Sequence, residues 1–319
     1  MKPFCSNSKV TGKVIAKHAM LAAILLLFCS VHFAAGERSA GVCTKTANDV
    51  LKSCRVGAQS DFALAIAKCD NATAGSGCVS EATAEKNDAL QTCNDEFDAR
   101  QGACEKLGPA PYDPVINPAN YTTTIDNPLF PLVPGTTFIY EGQTADGLER
   151  DEFAVTHKTR VINGVTCVEV HDTVRVNGKL TEDTLDWFAQ DLDGNVWYFG
   201  ENTHELENGL ISTIDGTFMA GVDRAKPGII MEAHPSIGDF YRQEFDLANA
   251  EDWAEVTGLN STVTVPTGTY NKCLKTRETT PLEPDLVEDK YYARGVGNIL
   301  TVDHSTGERS ELVQIKTGQ

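Results

Sequence analysis

Positive charge is scarce in this sequence. Its 319 residues contain 27 lysines and arginines against 45 aspartates and glutamates, which gives a formal net charge of −18. Four of the lysines (Lys2, Lys9, Lys13 and Lys17) lie near the amino terminus, so the rest of the chain is still more acidic. Such a surface repels a phosphate backbone and argues against nucleic acid as a partner. It favours solubility and cationic or basic partners instead.

Short catalytic signatures are also missing. The sequence contains no CxxC, CxxCH, HExxH, GxSxG, GxGxxG or Walker phosphate loop. Their absence removes the common local motifs for zinc, haem, an activated serine and nucleotides. It does not exclude an enzyme, because the members of a catalytic triad are scattered along a sequence.

Six of the ten cysteines form a mirror-symmetric pattern, with spacings of 11, 15, 9, 15 and 11 residues. Residues 44–69 and 79–106 lack proline and are rich in helix-forming residues, and residues 70–77 have a turn composition. At ~100° per residue, each helix carries its cysteines on one face. The pattern predicts an antiparallel helical hairpin with the bridges Cys43–Cys104, Cys54–Cys93 and Cys69–Cys78. A metal or haem site is the alternative, but no histidine lies between Cys43 and Cys104.

Residues 1–36 have the features of a secretory signal. The four lysines precede an apolar run over residues 19–28, and the small residues 34–36 suit a cleavage site. The sequence therefore predicts a periplasmic or secreted protein, without stable membrane insertion after cleavage. Export agrees with the disulfides, which persist outside the cytoplasm. The alternative is a membrane anchor formed by an uncleaved N-terminal helix.

The remaining chain divides into a hairpin over residues 37–108, a proline-rich connector over 109–134 and a β domain over 135–319. Asn163-Gly164, Asn177-Gly178 and Asp193-Gly194 separate alternating runs, as in β-hairpins. We expect nine to eleven strands, mostly in a meander, and a less regular segment over 202–240 as a lid or binding loop. The predicted fold class is α+β, with a disulfide-stapled antiparallel helical hairpin followed by a curled antiparallel sheet. The sheet is a barrel or half-barrel, because a flat one would expose its edges.

Residues 189–201 read AQDLDGNVWYFGE. Here the chain resembles a group of uncharacterised exported bacterial proteins that share an AQDxxGNVWYFGE signature. The similarity continues through residues 220–223, 227–231 and 290–297. The resemblance implies a common β-rich fold unit and export, and it implies no activity.

The same stretch supplies the candidate metal ligands. Asp191, Asp193 and Asn195 carry oxygen side chains around a tight turn, and Glu201 follows. Oxygen ligands suit calcium, which is the one cofactor that we consider; otherwise no cofactor is predicted. The alternative is a hairpin turn whose side chains accept hydrogen bonds from turn amides.

Candidate ligand-binding residues are Trp187, Trp197, Tyr198, His204 and His234. The aromatic residues pack in the core or line an apolar pocket, and both histidines lie in the 202–240 segment. The predicted function is an exported, non-enzymatic binding or interaction module for an unknown protein or a small apolar ligand. The alternative is a cation-dependent hydrolase that uses the acids of residues 191–205, which convergence of His171, His204 and Glu201 would favour.

Two cysteines of the β domain, Cys167 and Cys273, are predicted to form a fourth bridge. Each alternates with polar residues, so both thiols should point to the polar side of their strands. A free exposed thiol would be a liability in an oxidising compartment. His157 lies on the same face of its strand as apolar residues and is predicted to be a core histidine.

Overall fold

The computed structural model describes residues 41–72 and 76–318, so the predicted signal segment and its membrane-anchor alternative lie outside the described residues. The chain begins with two long helices, α1 (Val42–Asn71) and α2 (Ser76–Leu107). All three predicted hairpin bridges are present, with Cα–Cα distances of 5.7, 5.7 and 5.8 Å from Cys43–Cys104 to Cys69–Cys78. Both helices extend into the predicted turn at residues 70–77.

The two helices bury mostly small residues against each other. The buried positions include Ala47 and Ala58 on α1 and Ala82 and Ala103 on α2. Alanines let the backbones approach closely, but they remove little apolar surface from water. The bridges therefore carry much of the hairpin's stability by restricting the unfolded chain.

Residues 108–318, all of which the structure describes, form sixteen strands, more than the nine to eleven predicted, because several strands have only two to four residues. Their bounds are β1 (Tyr121–Thr122), β2 (Thr137–Thr144), β3 (Gly147–Ile162), β4 (Val165–Val176), β5 (Lys179–Asp191), β6 (Val196–Glu207), β7 (Leu210–Thr213), β8 (Phe218–Met219), β9 (Lys226–Met231), β10 (Phe240–Arg242), β11 (Glu244–Phe245), β12 (Trp253–Val265), β13 (Gly268–Thr279), β14 (Val287–Ala293), β15 (Gly297–Asp303) and β16 (Arg309–Lys316). Asn163 (φ 50°) and Asn177 (φ 51°) each precede a glycine with positive φ, as the predicted tight hairpin turns require.

The strands form one antiparallel sheet in the order β10-β12-β13-β14-β15-β16-β2-β3-β4-β5-β6-β9-β11. The two ends of this order meet on the segment Phe240–Phe245, whose first half pairs with β12 and whose second half pairs with β9. The sheet is therefore a nearly closed barrel, and the predicted α+β class is confirmed. The 202–240 segment contributes β6, β7, β8 and β9 to this wall, so it is more regular than predicted.

The connector closes one end of the barrel. Residues 125–132, which we call the plug, bury Ile125, Leu129 and Leu132 in the interior core. The Asn127 side chain donates a hydrogen bond to the Gly194 carbonyl in the β5–β6 turn (2.9 Å). The Gly295 amide, in the β14–β15 turn, donates to the Pro128 carbonyl (2.6 Å). These contacts hold the plug against two turns of the barrel.

A second, smaller apolar cluster lies on the outer face of the sheet, and we call it the outer cluster. It consists of Ile162, Val165, Cys167, Trp187, Ala189, Phe199 and Ala220, with Ile116 and Tyr121 of the connector packed against it. The connector therefore covers the outside of the barrel as well as one end.

Cys167 and Cys273 are free and buried, so the predicted fourth bridge is absent. Cys167 lies in the outer cluster on β4, whereas Cys273 lies in the interior core on β13. Five strands separate β4 from β13 in the sheet order. The prediction failed because alternation with polar neighbours does not show that a strand face is exposed. His157 is also misassigned, since it is exposed where the pairing of β3 with β4 lapses between Val155 and Thr159.

Candidate functional site

The barrel encloses a cavity of about 360 Å³ next to the plug, which is within the size range of small-molecule sites. One part of its wall is apolar and consists of Phe130, Leu132, Phe138, Phe153, Phe188, Ile230 and Val296. The other part is polar and consists mainly of Tyr140, Asp151, Tyr198, Glu201, Gln243, Glu244, Asp252, Glu278, Lys290 and Tyr292. The lining thus joins an aromatic wall to a set of carboxyl groups.

Strand register explains why so many acids face inward. Directly paired residues of antiparallel strands point to the same face of a sheet. Asp186 pairs with Val170 of the interior core and with Glu201, while Asp172 pairs with Phe153. These acids belong to an interior set that we call the acidic belt, which comprises Asp151, Asp172, Glu182, Asp186 and Glu201 on the adjacent strands β3 to β6.

Two members of the acidic belt share one tyrosine. The Tyr198 hydroxyl lies 2.5 Å from Asp186 Oδ1 and 2.8 Å from Glu201 Oε2. A hydroxyl has a single proton to donate, so the two carboxyl groups share one donor. Burial, with the charges of Asp172 and Glu201, raises the pKa of Asp186 well above its usual range. Burial also raises the pKa of Glu201 to about 7.

Other carboxyl groups of the cavity also resist ionisation. Burial, followed by the charge of Asp252, raises the pKa of Glu244 well above its usual value. Glu244 is 9% exposed, and no hydrogen bond to its side chain is found in the described part of the chain. Burial and the charge of Asp172 likewise raise the pKa of Asp151, whose Oδ1 has no partner. Asp252 has its pKa raised to about 6, again mainly by burial.

Lys290 is the cation of the cavity lining. Its Nζ lies 2.9 Å from Glu278 Oε2 and 3.5 Å from Glu288 Oε2. Burial alone would raise the pKa of Glu278, but Lys290 outweighs it and the pKa falls below its usual value. Tyr292 and Thr276 also donate hydrogen bonds to Glu278 Oε1, both at 2.9 Å. Because Lys290 is committed to Glu278 and Glu288, the other carboxyl groups of the lining have no matching cation.

Of the predicted site residues, the structure places Tyr198 and Glu201 in the cavity lining. Trp187 is fully buried in the outer cluster, and Trp197 packs edge-on against Tyr121, with ring centroids 6.1 Å apart. His204 faces outward, in register with Asp183. His234 is exposed.

The structure does not form the candidate calcium site. Asp191 Oδ1 accepts hydrogen bonds from the amides of Asp193 (3.0 Å) and Asn195 (2.8 Å). Asp191 Oδ2 accepts from Asn195 Nδ2 (2.9 Å) and from Trp197 Nε1 (2.8 Å). Both oxygens therefore hold the hairpin turn, whereas Glu201 faces the cavity. Among residues 41–72 and 76–318, no three His, Cys, Asp or Glu side chains are placed to hold a metal ion.

The histidines of the hydrolase alternative do not converge with Glu201 either. His171 Nε2 lies 2.8 Å from Asp183 Oδ1 on the outer face of the sheet. Glu201 pairs with Asp186 on the inner face. The sheet itself separates the two sets.

Sequence reasoning missed several residues of the cavity, above all Asp151, Glu244, Asp252, Glu278 and Lys290. A signal for the first was present: Asp151, Phe153 and Val155 alternate along β3, so the carboxyl group shares the face of two apolar residues. An acid that alternates in phase with core residues is a candidate interior group.

Comparisons with known proteins assign no family to this chain. No family model and no curated protein matches this chain. Among solved structures, a Parabacteroides distasonis protein described as a lipoprotein matches with 14% identity and a TM-score of 0.33, covering 59% of this chain and 98% of its own. A similarity of this size carries no conclusion about function. None of the helices in the described residues has an apolar stretch long enough to cross a membrane.

Proposed function

We propose that the protein is an exported, non-enzymatic binding module that takes a small organic cation with an apolar body into its barrel. The observation that carries this proposal is the excess of buried carboxyl groups over Lys290 in a cavity that also has an aromatic wall. The acidic groups define the charge of the ligand, and the aromatic groups define its body.

The two parts of the wall suit the two parts of such a ligand. An ammonium group among Glu201, Glu244 and Asp252 would receive charge-assisted hydrogen bonds, which are the strong ones. Its apolar body would lie against Phe130, Phe153 and Phe188, which form one set of contacting rings with centroid separations of 5.6 to 6.4 Å. Aromatic faces also attract a cation. An anionic ligand would instead add to the repulsion among the acids.

The hairpin supports export. Its three disulfides are of a kind that persists in the periplasm or outside the cell. The predicted signal peptide and the resemblance to exported bacterial proteins agree with this location. In this proposal the hairpin is a rigid arm next to the binding barrel.

The test uses three probes with one aromatic body. We would titrate 2-phenylethylammonium, neutral 2-phenylethanol and anionic 3-phenylpropanoate into the chain from residue 37 onwards, by calorimetry at about pH 8, which lies above the pKa values of Glu201 and Asp252. We expect saturable binding of the ammonium probe alone. Glu244→Gln should weaken that binding by about tenfold or more, equivalent to about 1.4 kcal/mol. Glu207→Gln, at an exposed position of the same wall, is the matched control.

The pH dependence sharpens this test. Glu201 and Asp252 must lose their protons to pair with a cation, so binding should weaken as the pH falls from about 8 to about 5 and should release protons. Equal affinity for the alcohol and the ammonium probe would disprove a cation site, as would tighter binding at the lower pH.

A further inference from the structure

A buried arginine without a counter-charge lies where the helical hairpin meets the barrel. Arg242, the last residue of β10, is 8% exposed, and its Nη1 is buried without a hydrogen-bond partner. No ion pair or hydrogen bond of the guanidinium is found among the described residues. Burial lowers the pKa of Arg242 below its usual value. Burying an unpaired charge is unfavourable, so this arrangement calls for an explanation.

Aromatic rings surround the guanidinium without satisfying its donors. Its central carbon lies 4.5 Å from the ring centroid of Phe245, 5.6 Å from that of Tyr112 and 5.7 Å from that of Trp253. Ring faces attract a cation and hold it in place. They do not provide the oxygen acceptors that the five N–H groups of an arginine require.

The acid whose charge acts on Arg242 is Glu251, and it already pairs with a different arginine. Glu251 Oε1 accepts hydrogen bonds from Nε (3.0 Å) and Nη2 (2.7 Å) of Arg100. The Ala248 amide donates to the same oxygen at 2.9 Å. The remaining Arg100 nitrogen, Nη1, donates to Glu96 at 3.0 Å. Glu251 is thus the partner of Arg100, and its charge reaches Arg242 only through space.

A cavity of about 220 Å³, which we call the junction cavity, opens beside Arg242. Both helices, the connector and the β10–β11 segment contribute to its wall, and its other lining residues include Val42, Leu107, Pro111 and Tyr112. The wall therefore combines the unpaired cation of Arg242 and the ion pair Arg100–Glu251 with apolar and aromatic side chains.

We propose that the junction cavity is a second binding site, which takes a small carboxylate with an apolar body and holds it through Arg242. A planar guanidinium and a carboxylate match each other through two parallel hydrogen bonds. The apolar walls favour a carboxylate on a hydrocarbon group over a fully polar oxyanion, which would leave buried oxygens without donors.

This site is separate from the barrel cavity. Neighbouring residues of a strand point to opposite faces. Tyr241 belongs to the interior core, so Arg242 faces the hairpin on the outside. A ligand at the junction would contact both helices and the barrel, and its binding would hold the hairpin against the barrel.

The test titrates benzoate into the chain from residue 37 onwards, by calorimetry and by thermal unfolding. We expect saturable binding that raises the unfolding temperature, because a ligand of the native state stabilises it. Arg242→Met should weaken benzoate binding by about tenfold or more. Arg294→Met, at an exposed turn position, should leave it unchanged. Benzamide, which has the same shape without the charge, and inorganic phosphate, which has charge without an apolar body, should both bind more weakly.

Arg242→Lys is the second variant, because lysine keeps the charge and loses the planar fork. It should also weaken benzoate binding, and it keeps the test decisive if the methionine variant does not fold. Binding of 2-phenylethylammonium should be the same in the Arg242 variants as in the original chain, which separates this site from the barrel cavity. The proposal is overturned if benzoate does not bind, if it binds both variants as tightly as the original chain, or if phosphate binds as tightly as benzoate.

Discussion

Lys290 stabilises a buried carboxylate in the acidic interior of the barrel. Its 30% exposed side chain reaches Glu278, which is 8% exposed and also accepts hydrogen bonds from Thr276 and Tyr292. Removing one partner of a buried ion pair leaves the other charge buried and unpaired, which is more harmful than losing the pair itself. Glu278 therefore depends on Lys290 for its ionised state.

Replacement of this lysine should be strongly destabilising. We expect Lys290→Met to lower the free energy of unfolding by about 3 kcal/mol, because the Glu278 carboxylate stays buried without its cation. The measurement is urea unfolding at neutral pH. Lys158→Met is the control, since Lys158 is 76% exposed beside Glu169, and it should change stability by less than about 1 kcal/mol. A loss as small as that of the control would show that Glu278 does not need Lys290.

The two free cysteines give a prediction of a different kind. Cys167 and Cys273 are each 0% exposed, and burial raises the pKa of the Cys167 thiol to about 12. A thiol that is both buried and protonated reacts slowly. In the chain from residue 37 onwards, a thiol reagent should label neither cysteine in the native state and both after unfolding without reductant. Labelling of fewer than two thiols after unfolding would indicate a disulfide that the structure lacks.

The contact between the hairpin and the barrel depends on two ion pairs of unequal burial. The side chains of Arg100 and Glu251 are 5% and 1% exposed, whereas those of Lys106 and Glu255 are 48% and 33% exposed. Solvent screens the second pair and does not reach the first. Arg100 therefore fixes α2 against the β11–β12 connection, while Lys106 adds little.

Matched amide substitutions should separate these contributions. Glu251→Gln keeps the shape of the side chain but leaves Arg100 without its main partner, so we expect a loss of about 3 to 5 kcal/mol in urea unfolding. Glu255→Gln should change stability by about 1 kcal/mol or less. Equal effects of the two substitutions would contradict the docking role of Arg100.

Each kind of sequence pattern predicts a different feature of these elements. Cysteine spacing records which positions face each other, so the three bridges from Cys43–Cys104 inward followed from the sequence. Asn-Gly pairs record backbone conformation, and the turns at residues 163 and 177 followed as well. Alternation along a strand shows only that its two faces differ in polarity, not which face is buried. The polar face was assigned to solvent, and so the inward-facing Asp151 and Asp186 and the buried Cys167 were missed.

Local sequence patterns also do not predict that the sheet closes into a barrel. The short strands β10 and β11 pair with β12 and β9. Both are too short to show an alternation of polar and apolar residues. Their segment completes the wall and carries Glu244 into the cavity and Arg242 to the hairpin. Both proposed binding sites thus depend on a segment of six residues that bridges the ends of the sheet order.

The acidic interior makes the stability of the whole protein depend on pH. The acids of the belt, together with Glu244 and Asp252 of the cavity, have raised pKa values, with Asp252 at about 6 and Glu201 at about 7. Between their ordinary values and these raised ones, the native state holds protons that the unfolded chain has already lost. Stability therefore falls as the pH rises through this range. The stability that these raised pKa values contribute is fully present below about pH 4, where the same groups are protonated in both states.

We therefore expect the free energy of unfolding without ligand to be greater at about pH 5 than at about pH 8, by several kcal/mol, since one unit of pKa difference corresponds to about 1.4 kcal/mol. Glu201→Gln cannot ionise and should make the dependence shallower over this range. Glu207→Gln, on the exposed part of the same strand, should leave it unchanged. Urea unfolding across this range measures all three chains. A stability that rises with pH over this range would contradict the raised pKa values of the interior acids.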